Sequence, residues 1–390
     1  MKWTEISMMR QCVLVLILVL FSHVSAWAGL QIQFDYQYDS FGFFDDPDRR
    51  AALEMAARVV NRYVDNFAAI EPDADNTWAT FFNRPDGKGS FILNNQPVPE
   101  DTIIVYAAGM NITGRLAQAI DAPGLPTGTA EFEDAVNYRG QVGAGSTPAT
   151  DYGVWGGTIS FNNNPDEVPW YFGRNLTGIE PDEFDFITVA SHELMHLLGM
   201  GIAKSWRDQV DGNRRFQGEH AEDVGSATNP GLMLDSAESH WARGTKSWWN
   251  GMRQEALLAP AIAPGQRQMP TLLDRAAMLD IGWEEALPGD ANLDRIFDSS
   301  DLVDVFAAGV YETNDLAGWQ DGDWNDDGVF DSSDLVAALQ IGEYADAAAV
   351  TAVHAVPEPC GTVPFVLLYV LFVRRRCRPS VVAPYCPSSA

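Results

Sequence analysis

Three residues carry the most specific chemistry in this sequence: His192, Glu193 and His196, in the run His192-Glu193-Leu194-Met195-His196. Histidines at i and i+4 of a helix share one face, so both imidazoles can reach one metal ion. The glutamate between them is placed to take a proton from a metal-bound water without being a ligand itself. Phe184, Ile187, Val189, Leu194, Leu197 and Leu198 make the segment too apolar for a surface helix. Neutral histidines buried there need partners, and zinc is the simplest. Gly199 ends the helix soon after His196. A third histidine just past this turn would fall at position 202, which is Ile202. The remaining histidines are His220, in a loop-like stretch, His240, in Ser239-His240-Trp241, and His354, in an alanine-rich stretch. The residues alone leave open whether His220, His240 or neither completes the set.

A second chemistry stands further along the chain. Asp290, Asn292, Asp294, Ile296, Asp298 and Asp301 recur 33 residues later as Asp323, Asn325, Asp327, Val329, Asp331 and Asp334. Oxygen side chains at loop positions 1, 3, 5, 9 and 12, with a backbone carbonyl at 7, form a calcium loop. Gly328 supplies the sharp turn at the sixth position of the second copy, whereas the first has Arg295 there. The first loop is therefore expected to hold its ion more weakly.

Elements must position these groups. Residues 31–36 alternate and predict a strand. Asp46-Pro47-Asp48 predicts a helix start, with Asp46 as N-cap and an apolar stripe of Leu53, Ala57, Val60 and Val64. Residues 103–106 and 156–161 read as further strands, and residues 109–150 look loop-like. Residues 180–183 predict the start of the histidine helix, which ends at Gly199 or Gly201. Pro288-Gly289 marks a boundary before the repeats.

The chain has 390 residues and a net charge of -29, from 54 acidic and 25 basic residues. Six of those basic residues lie in the terminal segments, so the body between is more acidic still. Such a field repels nucleic acid and anionic lipid and suits a calcium-rich exterior. All four cysteines (Cys12, Cys360, Cys377 and Cys386) fall in the terminal segments, so the body has no disulfide framework. Lys2 and Arg10 precede a short apolar run closed by Ala26-Trp27-Ala28, the pattern of a signal peptide spanning residues 1–28.

Several stretches are similar to known families. Val356-Pro357-Glu358-Pro359, an apolar run over 363–373 and Arg374-Arg375-Arg376 resemble the PEP-CTERM sorting signal, which implies export and an envelope anchor. Residues 185–193, the Gly199 turn, Ser205-Trp206, Phe216-x-Gly218 and Ser239-His240-Trp241 resemble leishmanolysin-like metzincin peptidases, chiefly over residues 150–284. In that family an insertion separates the helix from a third ligand that precedes a tryptophan. The resemblance thus implies His192, His196 and His240 as zinc ligands and Glu193 as catalytic base. It also implies a methionine turn beneath the metal. Leu258 stands at that place, and it is close in volume to methionine. Residues 270–283 look like the family's closing helix. Residues 156–161 resemble the edge strand on which such enzymes align a peptide, although an ordinary sheet strand has the same pattern. The repeats resemble type I dockerins, each a calcium loop and a helix, which implies a cohesin-like partner.

The expected molecule is an α+β protein. Residues 29–286 form a metzincin-like domain with a mixed twisted sheet and an active-site helix. Residues 287–343 form a small helical calcium-loop domain. A linker over 344–359, a sorting or membrane segment over 360–378 and a tail over 379–390 follow. The expected function is zinc-dependent hydrolysis of peptide bonds in a protein or peptide substrate, outside the cell or at its envelope, with Zn2+ and Ca2+ as cofactors. A non-catalytic surface protein, with a degenerate zinc domain and a calcium-dependent binding module, is the alternative. A glycan-directed protein is a third class, but no paired-carboxylate motif supports it.

Overall fold

The computed structural model describes residues 29–225 and 232–345. The expected signal peptide, residues 346–390 with the Pro-Glu-Pro motif, and His354 lie outside the described residues. No helix among the described residues is long and apolar enough to cross a membrane.

The architecture is α+β. Strands β1 (Gln31–Asp35), β4 (Thr102–Met110), β7 (Gly156–Asn162) and β5 (Ala117–Asp121) form the main sheet in the order β1-β4-β7-β5. The first three are parallel, and β5 closes the edge antiparallel to β7. A smaller antiparallel sheet orders β3 (Ser90–Asn94), β2 (Thr77–Asn83) and β6 (Leu125–Thr127). Pairs β8 (Trp170–Tyr171) with β9 (Phe184–Asp185), and β10 (Lys246–Trp249) with β11 (Met252–Glu255), lie further along.

Strand β4 explains why the sheet is buried on both faces. Its alternation sends Ile103, Val105 and Ala107 into the core beneath the helices, and Ile104 and Tyr106 into a second core with Trp78, Phe82 and Trp155. Helix α1 (Pro47–Val60) begins as expected: the Asp46 carboxylate accepts from the Asp48 amide and Pro47 occupies the first turn. Leu53, Ala57 and Val60 are buried on it, whereas Val64 lies beyond its end and joins the core of the repeats.

The stretch 109–150 departs from the loop-like expectation. It contains β5, β6 and helix α2 (Ala130–Tyr138), capped by Thr129. Their short apolar segments sit among Gly, Ala and Thr and are ordered by sheet pairing, which local composition does not report. The histidine helix α3 (Phe186–Leu197) also starts later than expected. Its N-cap is Asp185, whose carboxylate accepts from Thr188 N and Oγ1 and pairs with Arg267 at 2.6 Å. Residues 180–183 instead close on themselves in a turn, with Glu183 donating its amide to Glu180 O. Every residue of α3 is buried, and the helix packs against α1 and the edge strand β5.

Past α3 the chain forms helices α4 (Lys204–Arg207), α5 (Glu219–Gly225) and α6 (Leu272–Asp280). The repeats follow, each a loop leading into a helix: α7 (Ser299–Ala307) and α8 (Ser332–Ile341). All described residues belong to one compact unit.

Candidate metal centre

Two glycines bring the third histidine to the first two. After α3, Gly199 and Gly201 take φ of 107° and 79°, the left-handed region that reverses the chain. A Cβ on Gly201 would lie 2.2 Å from Ser239 O, so the segment bearing His240 can approach only because this residue is glycine. Trp206 stacks on Phe216 and both meet Trp241 edge-on, with ring centroids 4.3–5.7 Å apart, and the three anchor the insertion between His196 and His240. Ser205 Oγ donates to Ile281 O, and Gly218 leaves room for Asp280, which accepts the amides of His220 and Ala221. The motif residues around the histidines are thus the framework of the insertion.

His192, His196 and His240 offer ligand atoms that all lie within 4.8 Å of one another. This is the sole such group of three or more His, Cys, Asp or Glu side chains among the described residues. His220 is not part of it: it is exposed and pairs with Asp280 at 2.9 Å. Ile202 lines the same cleft but offers no ligand atom.

The hydrogen bonds on the far side of each ring decide what the near side presents. His192 Nδ1 lies 2.8 Å from Leu257 O, and His196 Nδ1 lies 2.8 Å from Met200 O. A carbonyl oxygen only accepts, so both Nδ1 atoms carry the proton and both Nε2 atoms present bare lone pairs. His240 Nδ1 faces the Asp235 carboxylate at 3.3 Å, which favours the same tautomer. His196 Nε2 and His240 Nε2 then oppose lone pairs at 3.1 Å. Two such atoms repel unless a cation lies between them, so this donor set fits a divalent metal that accepts imidazole. Burial pushes the His192 imidazole down to about 4 and the His196 imidazole down to about 3, with a neighbouring histidine adding to each shift. Both therefore stay neutral, the form a metal requires.

Glu193 projects into the same cleft, a cavity of about 690 Å³. Burial pushes its carboxyl up to about 8, a rise opposed by a backbone hydrogen bond from Ala119 and by the charge of Arg115. Ala119 belongs to β5, so the strand bordering the centre is β5. The strand at 156–161 is internal, between β4 and β5, so of the two readings left open for it the ordinary sheet strand holds and the edge implied by the resemblance does not. Its alternation suits either position, and pairing with β4 on one side and β5 on the other decides it. Val168, Phe184, Val189, Pro260 and Ile262 line an apolar side of the cleft.

Beneath the histidines runs the segment 255–260. Leu258 is fully buried, consistent with an apolar floor at the position where the resemblance implies methionine. Asp274, buried on α6, holds this floor: its carboxylate accepts from Leu257 N at 2.8 Å, Leu258 N at 3.2 Å and Trp241 Nε1 at 3.0 Å. Asp274 and Asp235 are the site residues that sequence reasoning missed. The capping pattern Thr271-x-x-Asp274 was a visible signal for the first, whereas Asp235 has none.

The two acidic loops repeat their hydrogen bonds almost atom for atom. Asp290 and Asp323 accept the amides of positions 5 and 6, and Asp301 and Asp334 accept those of Asp298 and Asp331. Arg295 takes φ of 70° where Gly328 takes 88°, so both sixth positions make the left-handed turn. Burial raises Asp290 to about 7 and Asp334 to about 6, with nearby carboxylates adding to each rise; a bound cation would favour the ionised form of both. Among the described residues, the loop carboxylates do not form a close group of the kind the three histidines form. Comparison of the chain with protein-family models, with curated proteins and with solved structures finds no match.

Proposed function

We propose that this chain is a zinc-dependent endopeptidase acting outside the cytoplasm. The observation that carries the reading is the convergence of three neutral imidazoles on one point, beside a carboxylate in an open cleft. His192, His196 and His240 would hold the ion. When bound, it supplies Lewis-acid polarisation of water and of the scissile carbonyl. The charge of the bound ion would favour the ionised form of Glu193, which as carboxylate takes the proton of the attacking water and hands it to the leaving amine. The edge of β5 offers main-chain groups to an extended peptide, and the apolar wall receives one of its side chains.

Calcium in the two loops is part of the same proposal, held by Asp290, Asn292, Asp294, Asp298 and Asp301 and their counterparts, with the carbonyls of Ile296 and Val329. The exposed apolar residues Val303, Phe306, Val336, Leu339 and Ile341 on α7 and α8 favour a protein partner there, cohesin-like by the resemblance of the repeats. Export and anchoring rest on the terminal motifs. The test is casein cleavage and zinc content of the purified chain. His240→Ala lowers both sharply and His220→Ala lowers neither; the reverse pattern would show that the wrong histidine was chosen.

A further inference from the structure

The repeats are fastened to the body by reciprocal insertion and by ion pairs, unlike a module hung on a tether. Leu316, between the two repeats, is fully buried in the main core, and Val64 of the body is buried in the core of the repeats. Arg174 donates to Leu316 O at 3.1 Å, and Leu316 N donates back to Arg174 O at 3.1 Å. Asp326, at position 4 of the second loop, pairs with Arg62 and with Arg275 on α6. Asp321 pairs with Arg58 in the last turn of α1. Arg295 of the first loop pairs with Glu284 at 2.8 Å and donates to Val64 O at 2.6 Å. Its non-glycine identity at a left-handed position thus has a structural use.

These contacts end on the elements that build the metal centre. Helix α1, bearing Arg58, packs on α3. Arg275 adjoins Asp274, which holds the backbone under His192. Arg174 O and Gly173 O accept from Arg267, whose guanidinium pairs with Asp185, the N-cap of α3.

We infer that the repeats act in cis, as a calcium-set brace that stiffens the peptidase body through Asp321, Asp326 and Arg295. The inference rests on the calcium reading above. A segment this small, with no disulfide, gains much of its order from ions that bind only the folded loops. Ordered loops fix Asp326 and Arg295 opposite their partners, so ion binding raises the stability of whatever they hold. Position 4 is not a ligand position in such a loop, so Asp326 can be changed without altering the ion's oxygens.

The experiment uses the full zinc-loaded chain with and without millimolar calcium. Terbium luminescence reports loop occupancy, and hydrogen exchange by mass spectrometry reports residues 186–197 and 272–280. Calcium is expected to slow exchange in both stretches by about tenfold or more. Asp326→Asn should still bind terbium while this slowing falls below about threefold. Arg295→Gln, which removes the first loop's anchor, is the second variant should Asp326→Asn fold poorly, and it should also reduce the slowing. Occupied loops with protection confined to α7 and α8 would overturn the brace and leave the calcium reading intact. No terbium binding would overturn both.

Discussion

His240 differs from the other two histidines in what stands behind it. Leu257 and Met200 hold the first two rings through backbone carbonyls, but His240 leans on a carboxylate. Asp235 also accepts the amides of Ala237 and Ser239, so it shapes the turn as well as the ring. Asp235→Ala should weaken zinc affinity by about 10–100-fold while His192 and His196 stay in place, read by metal competition. An unchanged affinity would mean that the ring is held by Ser239 and packing alone. At this scale the sequence was legible where chemistry is local. His192, Glu193 and His196 announce themselves through helical spacing. His240 required a resemblance, because Gly201, Trp206 and Phe216 return the chain through contacts with Ser239 and Trp241 that local sequence does not report. Asp235 was not legible at all, since an aspartate in a polar turn carries no mark of the ring it faces.

The elements that stood out in the sequence are those with a strong local code: the Asp46-Pro47 start of α1, the alternation of β1 and the core of β4. Those that did not are set by tertiary pairing. β5 contains only Ala117, Gln118, Ala119, Ile120 and Asp121, and its place as the strand beside Glu193 comes from pairing with β7. The start of α3 was misplaced because Glu180-Pro181-Asp182-Glu183 carries the same capping chemistry as Asp185, and only burial with Arg267 selects the latter. The junction after α1 makes a pH prediction. Asp65 accepts the Glu284 amide at 3.0 Å, and burial pushes its carboxyl up to about 7, with Asp151 and Glu284 adding repulsion. A raised folded-state value means that its stabilising contribution is complete below the unfolded value near ~4 and is lost as pH rises through about 7. Asp65→Asn should therefore raise stability at pH 8 by on the order of 2 kcal/mol and do little at pH 4, measured by urea denaturation. An equal effect at both pH values would remove ionisation as the cause.

Across the whole molecule, an acidic chain without disulfides in its described body uses arginines to fasten its parts together. Arg58, Arg62, Arg275 and Arg295 all lie between the repeats and the rest. The two loops are not equivalent in how they are held. Arg295 takes a left-handed conformation that costs a non-glycine residue about 1 kcal/mol, whereas Gly328 takes the same conformation without that cost. Asp323→Ala should therefore reduce the calcium-induced rise in thermal midpoint more than Asp290→Ala does. Equal losses would show that Arg295's pairing with Glu284 offsets its backbone cost. The 33-residue register of the loops was fully legible, because ligand spacing is a local code. Their fastening to the body was not, because Asp326 and Arg62 are far apart in the chain.

In the proposed metal-dependent hydrolysis everything turns on Glu193 handling the proton. The most direct measurement is zinc content and peptide turnover of Glu193→Ala beside the unaltered chain. Glu193→Ala should keep a full complement of zinc and lose nearly all turnover, about 100-fold or more. A zinc-loaded Glu193→Ala protein that cleaves peptides at the unaltered rate would contradict it.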